Sequence, residues 1–416
     1  MLHLPEIQAL QTLTPDGWLL FATRTVRLFA YGFLSVVLAL YLAQVGLSNQ
    51  EIGWLLTGTL AGDAIISLGI AGIADRVGRR RMLLVGAGLM VFAGLVFALT
   101  GNLLLLTLAA IVGTISPSGH EVGPFLSIEQ AILPQTALAH HRTQIFAWYN
   151  LTGSFSTALG ALAGGGLAQM LQYLGRSPLE SYRVVIIGYA LLGLVLAALF
   201  TRLSPATEVE SPLLPRPSAP PLFGLHRSRA IIFKLAALFM LDAFAGGLVV
   251  QSLIAYWLHL RFGVEPGGLG GIFFGANLLA GLSALAAARV AGKIGLVNTM
   301  VWTHIPSNIL LMLLPLMPNL PLAIAVLLAR FSISQMDVPT RQSYIMAVVD
   351  PDERSAAAGA TTIARTAAVA AAPALTGVLL GASLLSLPFF LAGGLKIIYD
   401  LLLYRSFKAI KPPEEK

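Results

Sequence analysis

The stretch Ala71-Gly72-Ile73-Ala74-Asp75-Arg76-Val77-Gly78-Arg79-Arg80-Arg81 decides the fold. It crowds four arginines and an acid between two apolar runs, 50–74 and 82–101. Crossing a bilayer takes ~20 apolar residues, and each run is of that order. A charge at the hydrocarbon centre costs on the order of 3 kcal/mol, so the cluster belongs at a membrane surface. Its arginine excess assigns that surface to the cytoplasm. Gly78 permits the tight turn between the runs.

Outward from this loop the pattern repeats along the chain. The 416 residues are 56% hydrophobic and only 11% charged, with mean hydropathy +0.81. Soluble domains carry about 25% charged residues, so this chain cannot clothe a water-facing surface. Apolar stretches bounded by Gly, Pro and charge predict twelve spans, near 17–46, 50–74, 82–101, 103–130, 143–173, 183–203, 230–260, 266–291, 298–317, 320–347, 354–381 and 384–405. Polar residues interrupt the fourth and tenth.

Seventeen Lys and Arg fall in one alternate set of connections and tails, against Arg176, Arg183 and Arg261 in the other. Both termini are therefore expected on the cytoplasmic side, in a bacterial-type inner membrane. The net charge of +7 is dispersed among these loops, which argues against a nucleic-acid partner. Without cysteine there is no disulfide, thiolate or Cys-ligated metal. The first sixteen residues lack Lys, Arg and a cleavage site, so the first span is expected to serve as the insertion signal.

The expected architecture is all-α: two six-helix halves, 1–203 and 230–416, joined by a Pro-rich cytoplasmic linker, 204–229, that lets the bundles move. The halves resemble each other. A shift of 217 carries Gly46–Gly53 onto Gly263–Gly270 and Asp75–Gly78 onto Gly292–Gly295, and a shift of 212 carries Arg142 onto Arg354 and Gly165 onto Gly377. A five-residue deletion between them reconciles the two. Repeated six-span halves are a transporter architecture with the substrate site expected near the midplane.

The Ala71–Arg81 stretch resembles the signature loop of the major facilitator superfamily, a Gly followed four residues later by Asp-Arg-x-Gly-Arg-Arg. Ala71 departs from the family's first Gly, and Gly72 stands one place late. The resemblance implies a twelve-helix carrier working by alternating access. It also implies a cytoplasmic latch of Asp75, Arg76, Gly78, Arg79 and Arg80; the second copy has Gly292 where the first has Asp75. Gly160-Ala161-Leu162-Ala163-Gly164-Gly165 is similar to the superfamily's antiporter motif, with Ala161 in place of proline; plain helix packing explains the same residues. The superfamily's drug exporters have a basic residue in span four, where this chain reads Thr114–Glu121.

Ionisable residues inside spans are functional candidates. Asp63, Glu121 and Asp242 are candidate proton sites, and Arg24, Arg27, Tyr31, Asn277 and Arg365 candidate substrate ligands. Asp242 is placed opposite Arg24 and Arg27, which the 217 shift carries to Leu241 and Phe244. Glu129 and Arg341 are expected at the cytoplasmic gate with Arg142 and Arg354. The competing reading is that such charges form fixed pairs, above all Asp337 with Arg341. His120 and His304 are read as packed histidines.

The function expected is a proton-coupled carrier, monomeric in the bilayer, exporting a small organic solute and needing no metal or cofactor. The alternatives are uptake or exchange of an anionic metabolite, and a non-transporting sensor. The sequence shows no metal-ligand spacing, nucleotide loop or nucleophile–base pair that would mark an enzyme.

Overall fold

The structure, a computed structural model, describes residues 10–136, 138, 142–208, 228–349 and 353–409. Most of the Pro-rich linker and the end of the basic tail lie outside these residues. Among the described residues eight helices are long and apolar enough to cross a membrane. A ninth span is the pair α1a (Pro15–Ser35) and α1b (Leu38–Gln44), bent by 42° at Val36–Val37.

Of the eight, α2 (Asn49–Val77), α3 (Arg79–Leu99) and α6 (Pro178–Phe200) fall in the first half of the chain. The seventh span is α7a (Arg229–Gly247) followed by α7b (Gln251–Phe262), interrupted like the first. Then come α8 (Pro266–Ile294), α9 (Leu296–Leu313), α11 (Arg354–Gly381) and α12 (Leu387–Phe407). Three further elements complete twelve traverses. One is α5 (Arg142–Tyr173), with a polar first turn. The others are split: α4a (Leu103–Val112) with α4b (Phe125–Ile132), and α10a (Leu320–Phe331) with α10b (Asp337–Val348).

The repeat is visible in the element boundaries. The helices α2 and α8 begin and end at a shift of 217, as do the left-handed glycines Gly46 and Gly263, and Gly78 and Gly295. The caps Asn102 and Asn319 keep the same shift, each accepting backbone N–H bonds at the start of its helix. At the starts of α4b and α10b, and of α5 and α11, the shift is 212. The five-residue difference therefore lies inside spans four and ten, in their interruptions. That of span four, 113–124, holds Pro117, Gly119 and Gly123; the two glycines have φ of 70° and 82°, which helix geometry excludes.

Two compact units result. The first comprises Met1–Leu47, Gly58–Pro212 and Gln251–Phe274; the second comprises Ser48–Thr57, Leu213–Val250 and Gly275–Lys416. Within the first, α1a lies along α5 and α3 along α6; within the second, α7a lies along α11 and α9 along α12. Small residues permit this closeness. A Cβ on Gly160 or Gly164 would stand 2.0 Å from the carbonyl oxygen of Phe29 or Phe33. Each unit also holds a short segment of the other half. In the first, Gly165 meets Gly270, and a Cβ on Gly165 would fall 2.3 Å from the Pro266 oxygen. In the second, Gly377 meets Gly53, with a Cβ 2.6 Å from the Asn49 oxygen. These two crossings are repeat equivalents, by 212 for Gly165 and 217 for Gly53.

Candidate functional site: two buried ion networks

In the first unit α1a presents Arg24 and Arg27 to span four. The Arg27 guanidinium is bidentate on Glu129, at 2.8 and 2.6 Å, and its Nε donates to Glu121 at 2.6 Å. Both side chains of the Arg27–Glu129 pair are 0% exposed. Glu129 also accepts from the hydroxyls of Thr23 and Tyr149. Arg24 donates to Glu121 at 2.9 Å and to Asn150 at 3.2 Å, and its guanidinium lies over the Tyr149 ring at 4.3 Å. The break in span four makes this possible: it swings Glu121 towards Arg24 while α4b brings Glu129 to Arg27.

The same unwound segment engages two other candidates. Tyr31 donates its hydroxyl to the Val122 carbonyl at 3.0 Å. Asp63 accepts the Gly123 N–H at 2.5 Å and the Ser67 hydroxyl at 3.2 Å. Among the described residues Asp63 has no cation within ion-pair distance.

In the second unit three cations converge on one carboxylate. Asp242 Oδ1 receives Lys396 at 2.5 Å; its Oδ2 receives Arg365 at 3.0 Å and Arg341 at 3.4 Å. Arg341 also pairs with Asp337 at 2.8 Å, as the i,i+4 spacing allows. His304 Nδ1 stands 2.9 Å from Asp400 and its Nε2 4.0 Å from Asp242, while Asn308 donates to Asp400 at 3.1 Å. Asn277 is buried on α8.

Several expectations need correction. Asp242 finds its ion-pair partners on α10b, α11 and α12, and Arg24 and Arg27 find theirs in span four. The register assumed for α7a is also off by two. Gly32 packs on the Thr157 carbonyl and Gly247 on the Val369 carbonyl. Thr157 and Val369 are related by 212, so α1a and α7a are related by 215, which carries Arg27 onto Asp242. Glu129 and Arg341, expected at the cytoplasmic gate, are the buried partners of Arg27 and Asp242. Arg142 and Arg354 are exposed at the starts of α5 and α11.

With the corrected register the two networks show a charge-inverted core. Arg27–Glu129 ties span one to span four, and Asp242–Arg341 ties span seven to span ten with the signs exchanged.

At the signature loop Asp75 pairs with Arg79 at 2.9 Å. The positive amino-terminal end of α3 is met by another acid: Glu208 accepts the N–H of Arg79 at 2.7 Å and of Arg80 at 3.1 Å. Arg76 is exposed. In the second half a Cβ on Gly292 would touch nothing within 4 Å.

Sequence reasoning missed Lys396 and Asp400, although two charges four residues apart inside the last apolar run were a readable signal. Glu208, an acid in a long loop, offered none.

A helical membrane protein of two repeated halves, with ion networks buried in each, is the class these features define. The family profile of the Major Facilitator Superfamily matches residues 20–373, and the chain belongs to that superfamily. It is 31% identical to an uncharacterized membrane protein of Saccharomyces cerevisiae, YJR124C, over 95% of this chain and 94% of the yeast protein. Solved structures share the fold. The nucleoside transporter NupG superposes with a TM-score of 0.72 at 12% identity, over 95% of this chain and 100% of that one. A bacterial homologue of the human lysosomal transporter Spinster gives 0.69 at 14%, over 94% of each. The human organic anion transporter MFSD10 gives 0.65 at 18%, over 94% of this chain and 100% of that one. The chain is thus an integral membrane protein of a transporter superfamily.

Proposed function

We propose that this chain is a proton-coupled secondary transporter that moves a small organic solute by alternating access. One observation carries the reading, the setting of Asp63. Every acid of the two networks has a cation or histidine beside it, whereas the charge of Asp63 is met by hydrogen bonds alone. Such a carboxylate can take and release a proton without breaking an ion pair, which suits a coupling site inside a membrane. The glycines of the export-like motif are used up in the contacts of α5 with α1a and α8, so the direction of transport is not taken from them.

The test is flux into proteoliposomes under an imposed pH gradient, with solutes first selected by thermal stabilisation of the purified protein. The parent is expected to accumulate solute in response to the gradient, with the sign of the gradient giving the direction. Asp63→Asn is expected to exchange solute across the membrane but to lose gradient-driven accumulation. Accumulation by Asp63→Asn equal to the parent's would remove the proton from the mechanism at this site.

We place both termini and the Asp75–Arg81 loop on the cytoplasmic side of a plasma-type membrane from the charge asymmetry of the loops, and we read the protein as a monomer. The cysteine-free sequence makes the topology direct to check. In intact cells a membrane-impermeant maleimide is expected to label Arg176→Cys and to spare Arg76→Cys, with the opposite result in inverted vesicles.

A second reading, exchange or uptake of an anionic solute, is favoured by Arg365. Its side chain is 30% exposed, against 10% or less for the other side chains that pair with Asp242.

A further inference from the structure

The two networks correspond only in part, and the part without a counterpart is informative. The Arg27–Glu129 and Asp242–Arg341 pairs occupy equivalent places and act as struts between spans. His304, Lys396 and Asp400 have no charged equivalents. The 217 shift takes His304 back to Ala87. The buried faces of α6 and α12, and their last residues Phe200 and Phe407, align at a shift of 207, which takes Lys396 to Tyr189 and Asp400 to Gly193. The first half folds with uncharged residues at these three places, so the fold does not require charge there. Burying charge is costly, with an effective penalty of several kcal/mol per ion even after relaxation. A buried group that packing does not need points to a task.

The charge count suggests which task. Asp242, Asp337 and Asp400 stand against Arg341, Arg365 and Lys396. With His304 neutral the cluster sums to zero; with His304 protonated it carries one positive charge in excess. His304 is also the residue that bridges the two parts of the cluster, with Nδ1 on Asp400 and Nε2 facing the same Asp242 oxygen that holds Lys396. The groups facing it are Asp242 from α7a, Lys396, Tyr399 and Asp400 from α12, and Asn308 from its own helix; Arg341 and Asp337 from α10b and Arg365 from α11 stand behind Asp242.

We infer that this cluster is a proton-gated anion site: protonation of His304 gives it an excess positive charge, which Arg365 presents to a small organic carboxylate. The imidazolium competes with Lys396 and Arg365 for Asp242, and loosening that carboxylate's hold on Arg365 frees guanidinium donors for the ligand. Guanidinium suits this role because its planar fork matches a carboxylate in two parallel hydrogen bonds. Proton and anion therefore bind together, and the anion's affinity is highest when His304 is charged. The anion as cargo rests on the transporter reading above; the site itself does not.

Binding can be measured on the purified full-length protein, without transport, using acetate as probe and acetamide as its uncharged counterpart at constant ionic strength. Acetate is expected to raise the melting temperature and acetamide to leave it unchanged. In weakly buffered solution about one proton should be taken up per acetate bound. Arg365→Gln is expected to abolish the acetate shift. His304→Gln, or His304→Asn should the first not fold, is expected to abolish proton uptake and to leave only weak, pH-independent binding. The inference is overturned if acetate gives no shift in the parent, if acetamide gives an equal one, if acetate binds without proton uptake, or if Arg365→Gln binds it normally. Intact acetate binding with no gradient-driven flux would overturn the proton-coupled transporter reading and the anion's place as cargo, and leave the binding site standing.

Discussion

Glu129→Ala is expected to cost about 3–5 kcal/mol of stability, the range for removing one partner of a buried ion pair. The variant would leave Arg27, whose side chain is wholly buried, with Glu121 as its remaining acid, and Glu121 already serves Arg24. The Tyr149 and Thr23 hydroxyls would lose their shared acceptor as well. A lowered unfolding midpoint in detergent is the measurement, with Glu129→Gln showing how much of the loss belongs to charge. The double variant Arg27→Met with Glu129→Leu should recover much of the stability, because it strands no charge. A double variant as unstable as Glu129→Ala would mean that the pair contributes shape rather than charge balance. By the charge-inverted correspondence Asp242→Asn should behave like Glu129→Ala, since it leaves three cations against two acids.

The second large effect is expected at the glycine crossings. Gly165→Leu puts a side chain where a Cβ alone would stand 2.3 Å from the Pro266 oxygen and 2.8 Å from the Gly270 Cα. Backbone cannot step aside as a flexible side-chain end can, so α5 and α8 must separate. Overpacking a tight contact costs typically about 1–3 kcal/mol, and here the obstruction is main chain, which places the expectation at the upper end. Gly377→Leu should do the same at the equivalent crossing with Gly53. The control is the neighbouring Gly166→Leu, where a Cβ meets nothing within 4 Å. Melting temperature and solute flux of the three variants decide the matter. Equal behaviour of Gly165→Leu and Gly166→Leu would show that the crossing is not tight.

Legibility differed from element to element. Helices α2 and α3 and the turn between them could be read because hydrocarbon length, arginine excess and a glycine turn are local properties of the chain. Spans four and ten were recognisable as interrupted, from the polar residues within them. Where the five-residue difference between the halves lies was not, since any loop could have absorbed it. Asp63, Glu121 and Asp242 stood out as acids in apolar runs, but their partners did not. Which arginine meets which acid depends on helix rotation and on a register of two residues in α7a. The shift of 217 at the flanking loops gave no sign that the register inside the span is 215.

The sequence by itself determined the membrane class, the number of traverses, the repeat and the set of buried charges, because each follows from what hydrocarbon accepts along a single stretch of chain. Only the tertiary structure decided the pairing of those charges. Pairing is a contact between spans far apart in sequence, set by how glycines let helices approach and how broken spans turn their carboxylates. That is why Arg27 meets Glu129 in one half and Asp242 meets Arg341 in the other, while Asp63 stands without an ion-pair partner among the described residues.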